Sequence, residues 1–319
     1  MNKANISENN KTVYSDSKVF YHTDKIECLK NNQRTAPVYI RIKPTNVCNQ
    51  GCYYCIYNND VVWDGRNVDR RESIPWEKMK EILTDIAEMG VRAVTFTGGG
   101  DPLCYHSIIP AIQMVKKNKI DFALITNGQA LEGDAARELC EAKWLRVSLD
   151  SAKSETYERI RKVKTHQKVL DNIANFAAKK NESCVLGINF VVTKENFDQI
   201  YGMCRIAKEL GVNNIKFSPI VIREKTAEYH KEIHQMVEEQ LENAKKDFLN
   251  EKFAIIDKYT MDLWMDEHYQ KCYQKCYVKQ LFTIIAADQK VYYCIDKAYI
   301  PAGMVGDIKE QSFKKMWFS

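Results

Sequence analysis

A chain of 319 residues that is 45% apolar and 28% charged has an ordinary globular composition, and its length favours one large domain plus a smaller one. Its net charge of +5, from 47 basic and 42 acidic residues, is too mild and dispersed to point to nucleic acid. The apolar stretch Leu281 to Ala287, broken only by Thr283, falls far short of a membrane span, and Met1 to Lys25 has no apolar core for a signal peptide. Eleven cysteines at motif-like spacings suit a reducing cytoplasm better than a disulfide framework.

Residues 1–36 read as a polar arm without a sustained period. An alternation then begins. Apolar, strand-like runs occupy Val38–Pro44, Ala93–Thr97, Phe122–Thr126, Trp144–Leu149, Val185–Thr193 and Asn214–Pro219. Between them lie helical patterns: Met79, Ile82, Leu83 and Ile86 after a Ser73-Ile74-Pro75 start, then 106–117, 134–142, 165–180 and 197–210. Six strand–helix units in sequence predict an α/β core over 37–225, with a parallel sheet and helices outside. A helical linker over 226–268 follows, with one long helix from Ala227 to Asn250 whose buried face carries Ile233, Val237, Leu241, Ala244 and Phe248. His230 and His234 stand one turn apart on it and are expected to be a surface pair, since Lys231 occupies the place of a zinc protease's glutamate. The region 269–319 opens with cysteines, forms a hairpin around Asp288-Gln289 and ends in a short helix, Lys309 to Phe318.

The chemistry concentrates after the first strand, in Cys48-Asn49-Gln50-Gly51-Cys52-Tyr53-Tyr54-Cys55. Gly51 lets the loop fold back, so its three sulfurs can converge on one small inorganic object. Three thiolates are one short of the four that usually hold a cubane iron–sulfur cluster, which leaves one iron open to a small molecule. A zinc site would want a fourth Cys or His, and none lies nearby; three unpaired thiols are the remaining alternative. The second strand runs into Thr97-Gly98-Gly99-Gly100-Asp101-Pro102, where consecutive glycines let a ligand approach the main chain. Asn127 closes the third strand, and Ser148-Leu149-Asp150 closes the fourth. Strand carboxyl ends are where barrels of this kind build their sites, although Asn-Gly and Asp-Ser are also good turn residues.

The cysteine spacing, with Tyr54 before the third thiol, resembles that of the radical S-adenosylmethionine (radical SAM) enzymes. The resemblance covers residues 38 to about 220 and implies a partial (β/α)6 TIM-type barrel. It implies a [4Fe-4S] cluster on Cys48, Cys52 and Cys55, with SAM chelating the open iron. The glycine run is similar to the Gly-Gly-Glu-Pro element that holds the SAM amino group, with Gly99 and Gly100 in place and Asp101 for the usual Glu. The same resemblance places Tyr54, Ser148 and Asp150 around the cofactor and Arg161 against the SAM carboxylate; Asn127 joins them as a candidate by its strand-end position alone, with a turn role as the alternative. Reduction of the cluster would break a carbon–sulfur bond of SAM and release a 5′-deoxyadenosyl radical that removes a substrate hydrogen.

Cys272, Cys276 and Cys294, with the hairpin and the run Gly303-Met304-Val305-Gly306-Asp307, resemble the first half of a SPASM or twitch domain. That implies a second, auxiliary iron–sulfur cluster. Gln289 departs from the glycine usual in that turn, and the family's later cysteines would lie beyond Ser319. A 36-residue arm is too short for a domain of its own, since chains under ~40 residues rarely fold alone. The expected substrate is therefore a small polar metabolite such as a sugar derivative, undergoing dehydrogenation, epimerisation or elimination. A peptide is the alternative substrate, and a non-catalytic iron–sulfur electron carrier or scaffold is the non-enzymatic one. An electron donor such as flavodoxin or ferredoxin is implied; nucleic acid and membrane partners are not.

Overall fold

A computed structural model describes residues 20–57, 66, 68–222, 225–268 and 273–319. The elements are α1 (Thr23–Lys30), β1 (Tyr39–Ile42), α2 (Trp76–Glu88), β2 (Ala93–Phe96), α3 (Ile108–Lys117), β3 (Asp121–Thr126), α4 (Gly133–Leu139), β4 (Trp144–Ser148), α5 (Ser154–Arg161), α6 (His166–Lys179), β5 (Val185–Val192), α7 (Ile200–Glu209) and β6 (Asn214–Pro219). They continue through α8 (Thr226–His230), α9 (His234–Phe248), β7 (Ala254–Asp257), α10 (Tyr259–His268), α11 (Val278–Leu281), β8 (Phe282–Ile285), β9 (Lys290–Tyr292), β10 (Met304–Asp307) and α12 (Phe313–Phe318). The sheet has ten strands in the order β10-β9-β8-β1-β2-β3-β4-β5-β6-β7. Strands β8 and β1 to β7 run parallel, and β9 and β10 are antiparallel additions at one edge. The strand order is open, with β10 and β7 at its edges, so this is an α/β partial barrel rather than a closed one.

The strands alternate, and the alternation separates two kinds of face. Ile40, Ile42, Val94, Phe96, Phe122, Leu124, Leu145, Val147, Leu186, Ile188, Phe190, Ile215 and Phe217 pack with Met79, Ile82, Ile112, Ile173 and Met203 of the helices in one continuous core. The opposite face carries Arg41, Thr95, Arg146, Ser148, Asn189 and Lys216, placed side by side by the parallel register. The helices sit where their periodic apolar residues predict. In α2 the buried set includes Met79, Ile82, Leu83 and Ile86.

Three expectations change. The stretch Ala227 to Asn250 is two helices, not one, broken by a turn at residues 231–233. At the break stands His230, which is 0% exposed rather than on the surface. Its Nε2 donates to the Ile220 carbonyl at 3.1 Å, and its Nδ1 faces the Tyr259 hydroxyl at 3.2 Å. His234 stays half out in solvent, 3.3 Å from Glu238. Within the expected helical linker over 226–268, Ala254–Asp257 forms β7, a seventh parallel strand beside β6. In the arm, residues 23–30 form helix α1, which buries nothing. The hairpin is as expected, and Gln289 takes the left-handed conformation (φ 60°) that glycine would adopt at no cost.

Burial holds the His230 imidazole neutral, with its pKa lowered to about 4. Below pH 6.5 the unfolded chain takes up a proton that the folded chain refuses until about pH 4. Stability is therefore full above 6.5 and falls as the pH drops through this window, by on the order of 2–3 kcal/mol from this group. Urea midpoints measured from pH 7 to 4.5 should show that fall, and His230→Gln should flatten it.

Candidate functional site

The cysteine loop leaves β1 and is tied down on both sides. The N–H groups of Gly100 and Asp101 donate to the carbonyls of Thr45 (3.0 Å) and Val47 (3.0 Å). Those of Gly51 and Tyr53 donate to Arg161 (3.0 Å) and Ile160 (3.2 Å) at the end of α5. Gly99 and Gly100 are required by this approach. A Cβ would stand 2.0 Å from Asn46 Oδ1 at Gly99 and 2.0 Å from the Val47 carbonyl at Gly100. Cys48, Cys52 and Cys55 are all free and half-buried on this loop. Burial pushes the Cys48 thiol up to about 12 and raises that of Cys55, so a metal taken up here must displace protons.

Beneath Cys52 lies a buried ion pair. Arg161 is 5% and Asp150 1% exposed, and Arg161 Nη2 and the Tyr54 hydroxyl both donate to Asp150 Oδ2. Asp150 Oδ1 accepts from Val191 N at 2.9 Å, and Arg161 Nη1 points at the Cys52 sulfur from 3.5 Å. Burial opposes the guanidinium's charge, but Asp150 outweighs it and holds Arg161 firmly protonated. Arg161 Nε is buried with no hydrogen-bond partner.

Asp101 lies at the other side of the loop, and its carboxylate is committed to the protein. It accepts from Leu103 N (2.9 Å), Thr126 Oγ1 (2.9 and 3.0 Å) and Asn127 N (2.6 Å). Burial pushes its carboxyl pKa up, although these donors pull the other way. Asn127 in turn donates to Asn49 Oδ1 (2.7 Å) and stands 3.9 Å from the Cys48 sulfur. Ser148, at the end of β4, is paired with Asn189 of β5, and Asn189 Oδ1 is buried without a partner.

A family model described as the radical SAM superfamily matches residues 42–203, half of the chain. The chain belongs to the radical SAM superfamily. The GTP 3′,8-cyclase of Limosilactobacillus fermentum (strain NBRC 3956 / LMG 18251) is 30% identical over 188 residues, covering 57% of this chain and 54% of that protein. The chain spans about half the length of the first such curated relatives. Streptococcus suis SuiB, solved with its precursor peptide SuiA, matches over 97% of this chain and 71% of its own (TM-score 0.68, 17% identity). A protein named anSMEcpe, solved with AdoMet bound, matches over 89% and 81% (TM-score 0.62, 20% identity). At those identities the likeness is one of fold, and it extends past the radical SAM core into the C-terminal region.

As a radical SAM enzyme it works with a [4Fe-4S] cluster and SAM, and the donor set fits both. Among the described residues no group of three ligating side chains is gathered for a single ion; the thiolates of a cubane bind separate irons. The unpartnered Arg161 Nε and Asn189 Oδ1 are a donor and an acceptor left over for a ligand. In the C-terminal region Cys276 is exposed and Cys294 half-buried, while Cys272 lies outside the described residues.

Sequence reasoning missed Asn46 and Lys43. Asn46 Oδ1 accepts from the Tyr299 hydroxyl at 2.5 Å, joining the C-terminal region to the cysteine loop. Lys43 is 0% exposed, its Nζ 2.5 Å from the Tyr57 hydroxyl and 5.3 Å from the Tyr299 ring centre. Their only signal was position, directly ahead of Cys48. Asp150→Asn would leave Arg161 buried without a counter-charge and should destabilise the protein by about 3 kcal/mol. Chemical denaturation of the variant measures this.

Proposed function

We propose that this radical SAM enzyme reductively cleaves SAM to a 5′-deoxyadenosyl radical, which abstracts hydrogen from a small polar metabolite carrying a sugar-like, hydroxylated carbon. The observation that carries the reading is the family match over residues 42–203 on a cysteine loop pinned between the ends of β2 and α5. Cys48, Cys52 and Cys55 hold the cluster. Gly99 and Gly100 present main-chain groups to the SAM ammonium. Arg161 faces the SAM carboxylate with its unpartnered Nε, while Tyr54 and Asp150 fix its guanidinium. Ser148, with Asn189 added from the structure, lines the end of β4 and β5 against the rest of the cofactor. Asp101 and Asn127 act through the loop: Asp101 locks the glycine turn to the end of β3 and so positions the carbonyls that meet the ammonium.

The name of the curated relative, GTP 3′,8-cyclase, supports a substrate that contains a ribose and makes GTP the first compound to try. A peptide stays the second reading, on the fold shared with SuiB. Dehydrogenation, epimerisation and elimination all begin with the same abstraction, and an electron donor of the flavodoxin or ferredoxin kind would supply the reducing electron. The ten described cysteines are all free, which suits a reducing cytoplasm, and among the described residues no helix is long and apolar enough to cross a membrane.

The test is anaerobic. Reconstituted protein with dithionite and SAM should form 5′-deoxyadenosine, and the triple Cys48, Cys52 and Cys55→Ala variant should form none; full activity in that variant would overturn the reading. Accelerated SAM cleavage in the presence of GTP, a sugar derivative or a peptide then sorts the substrate classes.

For Cys272, Cys276 and Cys294 we propose a second cluster. Iron assays should then find about eight irons per chain, and about four after those three are changed to Ala. An unchanged iron content would leave the C-terminal region a structural cap.

A further inference from the structure

The inner face of the barrel is cationic. Arg41 of β1, Arg146 of β4 and Lys216 of β6 all stand on the face turned away from the helices, as the register requires. Arg41 is level with Thr95, Ala123 and Trp144; Arg146 is level with Gly187 and Asn214; Lys216 is level with Asn189 and Ser148. The acidic residue on this face of β1 to β6 is Asp121, exposed at the amino-terminal rim and paired there with Lys143 at 3.4 Å. Between the basic residues stand Ala123 and Gly187, which take up little or no side-chain volume.

A flat sheet would hold β1 and β6 about 24 Å apart, yet the charges feel one another across the curl. Burial first, then Arg146, and further down Arg41 lower the Lys216 pKa to about 8, with exposed Asp262 pulling the other way. Lys43, one pleat above Arg41, is itself pushed well below the ordinary lysine range by burial, Arg66 and Arg41. Like charges gathered on one half-buried face repel one another, and an added anion would relieve that repulsion.

Arg41, Arg146 and Lys216 step forward by one pleat from β1 to β4 and by another from β4 to β6, the staircase by which tilted barrel strands bring side chains to one height; we propose that they form the floor of the substrate site and bind the phosphate end of a phosphorylated substrate. Two guanidinium groups and an ammonium match a phosphate ester with two or more negative charges; a lone carboxylate would leave most of the charge unanswered. Ser148 lies one pleat, or about 7 Å, beyond Arg146 on the same strand, at the end of β4. The substrate thus stands upright, its anion on the floor and its reacting carbon raised towards SAM. The inference rests on the reading of this mouth as the SAM site, but its test involves no turnover.

The test is titration calorimetry of anaerobic, cluster-loaded protein with inorganic pyrophosphate and tripolyphosphate, and with malonate as the carboxylate probe. Wild type should bind the two phosphates, more weakly as salt rises, and bind malonate at least tenfold more weakly. Arg146→Gln and Lys216→Gln should each weaken phosphate binding at least tenfold, with cluster absorbance and melting temperature confirming that they are folded and loaded. Lys143→Gln, at the exposed rim, should leave binding unchanged. No phosphate binding to wild type, equal binding of malonate, or binding that survives both floor variants would overturn the proposal. Formation of 5′-deoxyadenosine in the same samples keeps that failure distinct from failure of the SAM reading.

Discussion

The Asp150–Arg161 pair is the contact on which the cysteine loop and the strand ends around it depend. Removing both charges from water costs several kcal/mol per ion, so the pair holds only because its geometry is complete. Asp150 satisfies that requirement with donors from three places: Tyr54 in the cysteine loop, Arg161 at the end of α5, and Val191 N at the end of β5. Asn196 fastens the same corner by donating to the Asp150 carbonyl at 2.8 Å. The cysteine loop is thereby fixed to strand and helix ends rather than left as a surface loop. A cluster needs this, since its ligands must hold their places while an electron passes through.

The C-terminal region is built onto the same frame. Its strand β8 pairs in parallel with β1, from Tyr39 opposite Phe282 to Ile42 opposite Ile285, so the barrel sheet continues into it without a break. Arg66 donates to the carbonyls of Ala298 (2.7 Å) and Asp296 (2.9 Å), and Tyr299 reaches Asn46 two residues ahead of Cys48. The rings of Tyr57 and Tyr299 meet edge to face, 5.9 Å between centres, with the Lys43 ammonium held against both. A shift in this region would therefore be felt at the cysteine loop through packed aromatic rings and the hydrogen bond from Tyr299 to Asn46.

Much of this was legible in the sequence, because strand periodicity, helix spacing and the cysteine motif each have a local cause. The six expected strands of the core sit where their apolar runs predicted, and Asp288-Gln289 turns the hairpin even though Gln289 carries the strain of a positive φ. What was not legible depends on tertiary partners. His230 reads as a surface residue in a charged stretch, and only the carbonyl of Ile220 and the ring of Tyr259 draw it inside. Ala254–Asp257 is too short to announce a strand without β6 beside it. Asp101 has the residue type of a ligand, yet the backbone donors of Leu103 and Asn127 reach it first.

The cationic face was written in the sequence and passed over for a different reason. Tyr39-Ile40-Arg41-Ile42-Lys43, Trp144-Leu145-Arg146-Val147-Ser148 and Asn214-Ile215-Lys216-Phe217-Ser218 share one pattern, a basic residue flanked by two buried apolar ones. Strands of a parallel sheet are usually covered on both faces and read as near-continuous apolar runs, so a lysine or arginine in the middle looks like noise. It is noise only if the inner face is packed. Here the helices cover one face alone and the strands do not close, so the basic residues need neither partner helices nor a dry core. The open strand order that leaves β7 and β10 as edges leaves the inner face unclosed as well, so polar side chains there cost less than they would in a core packed on both faces.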